Sequence, residues 1–244
     1  MKVAKYLANL GYGSRRDVTV LLRDRRVTRR DGAVVQEGDV FLHDELLVDG
    51  QPLDPPQGSV LMLHKPVGYA CSTSDTTALI YELLPARFLH RSPVLASIGR
   101  LDRDTSGLLL LTDDGAINHR LSSPKSHLPK RYEARLAFDL RGDEAATFAS
   151  GTMMLESETV PLKPASFEVI EPRVVRVTVT EGRYHQVRRM FAAVGNHVES
   201  LHRYAIGTLT LGGLASGAWC DVSPTVHDAL LPRTADNTLK RGPS

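Results

Sequence analysis

The stretch Gly99-Arg100-Leu101-Asp102-Arg103-Asp104-Thr105-Ser106-Gly107, continued by LLLLTDDG over 108–115, decides how the chain is read. Two acids and two arginines stand directly before a strongly apolar run. Charged side chains are therefore expected on a loop anchored by a buried strand, Leu108 to Thr112, which is how functional loops are commonly held. The same composition is also compatible with a solvated turn whose charges satisfy one another.

Outward from this loop, β-rich runs at Val60–His64, Tyr132–Ala137, Ser166–Ile170, Val174–Thr180 and Leu201–Leu211 alternate irregularly with helical runs. The helical runs are Ala78–Leu84, Ala116–Ser122, Glu144–Ala149 and Tyr184–Val194. A parallel sheet would show a regular strand-helix rhythm, so the pattern predicts an α+β domain with a mainly antiparallel mixed sheet flanked by helices. This domain is expected over 60–232, with a disordered tail at 233–244.

The N-terminal part differs in composition. Val3, Tyr6, Leu7 and Leu10 have helical spacing, Gly11 and Gly13 break it, and Ser14 can cap a second helix over Arg15 to Arg23. Asp31-Gly32, Glu37-Gly38 and Asp49-Gly50 then punctuate short strands. A helix-helix-strand module is expected over 1–53, followed by a Pro- and Gly-bearing linker over 54–59. Met1 to Arg30 carries nine basic residues against Asp17 and Asp24, a net of +7, whereas 31–56 carries seven acids and no Lys or Arg. The formal net charge of +2 hides an electrically polarised module.

With 42% hydrophobic and 24% charged residues, the chain has enough apolar surface for a packed core, so general disorder is excluded. The opening MKVAKYLANLGYGSRR lacks the uninterrupted apolar core of a signal peptide. The longest strongly apolar run, Gly107–Leu111, is far short of the roughly 20 residues of a membrane span, so a soluble cytoplasmic protein is expected. Cys71 and Cys220 stand alone and read as buried, reduced thiols.

GRLDRDTSGLLLLTDDG at 99–115 resembles the catalytic motif of the pseudouridine synthases, whose aspartate falls on Asp102. EGRYHQVRRMFAAVGNHV at 181–198 and LHRYAIG at 201–207 resemble the branch of that family acting on small-subunit (16S) ribosomal RNA. Large-subunit relatives usually differ at the place of His185. Lys130-Arg131-Tyr132 is similar to the motif carrying the family's tyrosine, and 1–53 is similar to the ribosomal-protein S4-like RNA-binding fold.

The resemblance implies that a uridine is converted to pseudouridine without a cofactor or metal. Asp102 would be the catalytic carboxylate. An ionised carboxylate in a dry pocket needs a cation, and the resemblance assigns that role to Arg188. Arg189, about 100° round the helix, would meet RNA phosphate or another acid. Tyr132 would stack on the target uracil and take up its C5 proton. Arg100 would fill the space left by the flipped base, a task suited to a stacking guanidinium, with an ion pair to Asp104 as the alternative. Lys130, His185 and Gln186 would contact RNA or support the loop. Arg15, Arg16, Arg23, Arg25 and Arg26 would bind phosphates. The implied partner is 16S rRNA in an assembling small subunit, met by a monomer. The alternatives are a 23S rRNA or tRNA site, or a non-catalytic RNA-binding assembly factor.

Overall fold

A computed structural model describes residues 1–72, 77–123 and 126–223, together with Val226 and Leu230. The expected tail at 233–244 lies outside the described residues. Two helices open the chain, α1 (Val3–Asn9) and α2 (Arg15–Arg23). Ser14 and Asp17 cap each other reciprocally at the start of α2, so two otherwise unpaired backbone N–H groups gain acceptors. Strands β1 (Val27–Arg29), β2 (Leu46–Val48) and β3 (Gln51–Pro52) form a three-stranded antiparallel sheet. Val3, Leu7, Leu10, Val18, Val27, Val35 and Leu46 make a core of their own between the helices and this sheet. Residues 36–45, expected to add strand, hold turns instead, and Val40 and Leu42 are exposed.

The remaining strands are β4 (Val60–Lys65), β5 (Ala96–Ile98), β6 (Thr105–Thr112), β7 (Lys130–Leu136), β8 (Ser166–Glu171), β9 (Val174–Val179), β10 (Val198–Ile206), β11 (Leu209–Thr210) and β12 (Trp219–Asp221). They form one mixed sheet in the order β12-β4-β6-β10-β7-β9-β8, with β5 on β6 and β11 on β10. The pairing of β6 with β10 is parallel and the others are antiparallel. Helices α3 (Gly115–Ser122), α4 (Glu144–Ala149) and α5 (Gln186–Ala193) flank it. Among the described residues no helix is long and apolar enough to cross a membrane.

Two expectations are corrected. Ala78–Leu84 forms only a single tight turn, Ile80–Leu83, and α5 starts two residues late because His185 adopts a left-handed backbone (φ 47°).

The stretch expected as a linker is pinned at each step. Asp54 is buried and takes two hydrogen bonds from Arg87, while its N–H donates to the Tyr12 hydroxyl. Arg91 pairs with Asp113 at 2.8 Å, both side chains being almost fully buried, and also donates to the carbonyls of Pro55 and Pro56. The other oxygen of Asp113 accepts the Gly58 N–H.

At the centre of the sheet Gly107 lies beside Arg203 of β10, with φ +115°. A Cβ here would sit 2.2 Å from the Arg203 carbonyl oxygen and 2.6 Å from its nitrogen, so only glycine lets the two backbones meet. Gly107→Ala is predicted to destabilise the fold by about 3–5 kcal/mol through overpacking and backbone strain. A urea midpoint equal to wild type would show that the strands part freely at this point.

Candidate active site

Along one edge of β6, β10 pairs with Thr105 to Gly107 and β5 with Leu110 to Thr112. Leu108 falls between the two partners, and its carbonyl oxygen accepts a 2.7 Å hydrogen bond from Arg203 Nε. A cleft of about 320 Å³ opens there, within the range of ligand sites. Asp102, Thr105, Lys130, Tyr132, His185 and Arg203 are among its lining residues.

Asp102 is about one-third exposed, with its carboxylate Oδ1 3.2 Å from His185 Nε2. The left-handed backbone at His185 turns the imidazole toward the loop while α5 departs behind it. Arg203 is 2% exposed. Its Nη1 donates to the Tyr132 hydroxyl at 3.3 Å and to the Arg100 carbonyl at 3.4 Å, and the guanidinium lies 5.9 Å from the Tyr132 ring centre. Arg203 Nη2 and Thr105 Oγ1 are buried without a hydrogen-bond partner among the described residues.

Lys65 is completely buried beneath the loop and donates to the carbonyls of Pro66 (3.0 Å), Arg103 (3.2 Å) and Thr105 (2.8 Å). Burial pulls its pKa below that of an ordinary lysine, and nearby Cys71, Asp102 and Asp104 oppose that pull. Lys130, which donates to the Leu128 carbonyl, is likewise lowered by burial and by the Arg203 charge.

The expected Asp102–Arg188 ion pair is absent among the described residues. Arg188 lies behind the loop and donates to the backbone carbonyls of Asp104 (3.0 Å) and Val198 (2.8 Å). Arg189 meets an acid, Glu158, at 3.0 Å, one of the two kinds of partner expected for it. Gln186 is buried and not free to touch RNA: it donates to Glu181 and accepts the Arg183 N–H, stiffening the turn before α5. Arg100 is exposed at the cleft and forms no ion pair with Asp104. Arg15, Arg16 and Arg25 are exposed without an ion pair among the described residues, whereas Arg23 pairs with Asp24 and Arg26 with Asp49. The acids of the N-terminal module are thus partly interleaved with its bases, and the expected clean separation of charge does not hold.

Sequence reasoning missed Lys65 and Arg203. Arg203 did leave a signal, since Leu201, Arg203 and Ala205 occupy the inward positions of an alternating strand.

The family model described as RNA pseudouridylate synthase matches residues 59–193. The chain belongs to the pseudouridine synthases. It is 45% identical over 218 residues to a Yersinia pestis protein and 44% identical over 228 residues to an Escherichia coli (strain K12) protein. Both are named ribosomal small subunit pseudouridine synthase A, and the alignments cover 86% and 90% of this chain and 89% and 95% of theirs. A crystal structure titled as a pseudouridylate synthase is 35% identical, with a TM-score of 0.66, covering 95% of this chain and all of that one. This pseudouridine synthase is therefore an isomerase with its cleft at the β5/β10 gap in the sheet.

Lys65→Met would take the ammonium donor away from the carbonyls of Pro66, Arg103 and Thr105, of which that of Arg103 keeps the Gly68 N–H. A loss of about 2–4 kcal/mol in stability is predicted, since each orphaned group costs roughly 1–3 kcal/mol and water recovers part of it. Thermal unfolding measures this, and an unchanged melting temperature would remove Lys65 from the support of the loop. Arg203→Lys keeps the charge but not the planar fork, and kcat is predicted to fall about 10²-fold through misplacement of Tyr132.

Proposed function

We propose that this pseudouridine synthase acts on one uridine of small-subunit (16S) ribosomal RNA, as a cytoplasmic monomer without a cofactor. The observation that carries the choice of RNA is the near end-to-end match to relatives named for the small ribosomal subunit. A 23S or tRNA target would leave that match without a reason.

In this reading Asp102 is the catalytic carboxylate. The C1′–N1 bond breaks, the uracil turns, and a C1′–C5 bond forms, while C5 loses a proton and N1 gains one. A carboxylate can start this by attack at C1′, by attack at uracil C6, or by removing a C2′ proton. Tyr132 stacks on the uracil and is the candidate acceptor for the C5 proton, with Arg203 beside the oxygen that would take it. Arg188 acts on Asp102 through the loop backbone, and His185 orients the carboxylate.

The target must leave its stack to reach the cleft, and exposed Arg100 would occupy the space behind it. Residues 1–53 would serve as an S4-like RNA-binding domain, the pinned residues 54–59 as its connection, and the chain from 60 onward as the catalytic domain. Arg15, Arg16 and Arg25 are the readiest phosphate ligands; Arg23 and Arg26 would first have to release Asp24 and Asp49.

Asp102→Asn is predicted to abolish product while RNA binding stays within about threefold of wild type. Carbodiimide mapping of rRNA from a knockout strain complemented with each form checks this, and turnover by the variant would remove Asp102 from its role. The double variant Arg15→Gln, Arg16→Gln is predicted to reduce the slope of log K against log salt by about two. A slope equal to wild type would take these residues off the RNA.

A further inference from the structure

We propose that the open face of Tyr184 is a stacking subsite for the unpaired nucleobase adjoining the target uridine, an inference that rests on assigning the flipped uridine to the Asp102 cleft. Tyr184 is 69% exposed, an unusual position for a large aromatic ring, yet it lines the cleft. One face of the ring is covered by His185, with centroids 3.8 Å apart and planes 17° apart. His185 in turn touches Asp102. The other face has no ring against it among the described residues, so the series Asp102, His185, Tyr184 ends in an aromatic surface at the mouth of the site.

This surface is built in advance. Arg189 donates to the Tyr184 carbonyl at 3.2 Å and is itself paired with Glu158. Arg183 pairs with Glu158 and Glu181, and the Gln186 side chain closes the turn onto the Arg183 N–H. His185 holds a left-handed backbone that residues with a side chain rarely adopt. The network surrounding it fixes the Tyr184–His185 step, so ordering the ring would cost little on binding.

The chemistry of the substrate supplies the occupant. Extruding a uridine leaves a neighbouring base with one face unstacked, and every base offers a π-face to an aromatic side chain whatever its sequence. Tyr132 is already committed to the flipped ring, so the ring at the mouth is placed to take the neighbour. His185 then links occupation of this subsite to the position of the Asp102 carboxylate.

The test is a coupling cycle on binding. The probe is a fluorescein-labelled RNA hairpin carrying the mapped target uridine, alongside hairpins with an abasic nucleotide on the 5′ side, on the 3′ side, or at the target itself. Tyr184→Leu is expected to weaken binding of the intact hairpin roughly tenfold, and to add no loss when the relevant neighbour is abasic. Tyr184→Phe is expected to bind like wild type, since the ring is kept. Equal weakening of intact and both neighbour-abasic hairpins would mean a structural role and overturn the proposal, as would no weakening at all. Coupling confined to the abasic target would mean that the ring takes the flipped uridine itself, and would overturn it too. The hairpin is drawn from whichever RNA loses its pseudouridine in the knockout, so a target outside the small subunit would refute the choice of rRNA and leave the stacking question decided by the cycle.

Discussion

Two buried cations meet across a single glycine. Lys65 on β4 and Arg203 on β10 both pair in register with Gly107. Like charges in an interior of low dielectric repel strongly unless oxygens surround them. Backbone carbonyls supply those oxygens: Pro66, Arg103 and Thr105 for the lysine, Arg100 and Leu108 for the arginine. Because the loop from Arg100 to Thr105 must turn its carbonyls inward to solvate the pair, its charged side chains are turned toward the cleft and the solvent.

Arg188 extends the same device by binding the Asp104 carbonyl, and the Asp102 carbonyl accepts the Thr105 N–H. Three cations therefore grip the loop by its backbone and not by its acids. The Asp102 carboxylate keeps His185 as its close side-chain neighbour and is not locked in a bidentate guanidinium pair. A two-pronged ion pair would have to break before a carboxylate could react, and Asp102 carries no such constraint among the described residues.

The loop itself was legible because charge set against an apolar run is a local signal, and Ser14 at the start of α2 was legible because a cap is written within four residues. Asp102, Tyr132 and His185 share one cleft although they come from β6's leading loop, β7 and the turn before α5, whereas the resemblance grouped Asp102 with Tyr132 and Arg188, and Arg188 is not among the lining residues. What the residues near Asp102 could not reveal was which cation serves it. Lys65 and Arg203 reach the site from strands about 40 and 100 positions away along the chain, through backbone atoms that sequence does not display. The resemblance pointed to Arg188 as the partner, but whether a guanidinium meets carbonyl oxygens or a carboxylate depends on distances that a motif does not carry. The late start of α5 was hidden because nothing in the local composition marks His185 for a left-handed backbone. The anchoring of the connection at 54–59 was not legible, because its prolines and glycine show only the composition of a linker, while the residues that hold it, Tyr12, Arg87, Arg91 and Asp113, lie on either side of it in the chain.

That last arrangement has a mechanical meaning. Asp113 sits just beyond the C-terminal end of β6, and Asp102 lies just ahead of its N-terminal end. The Arg91–Asp113 pair joins the entry of the sheet domain to one end of this strand, so the connection acts as a strut. A load applied to the two N-terminal helices would reach β6 through these contacts, and the opposite end of that strand leads back to the loop that bears Asp102.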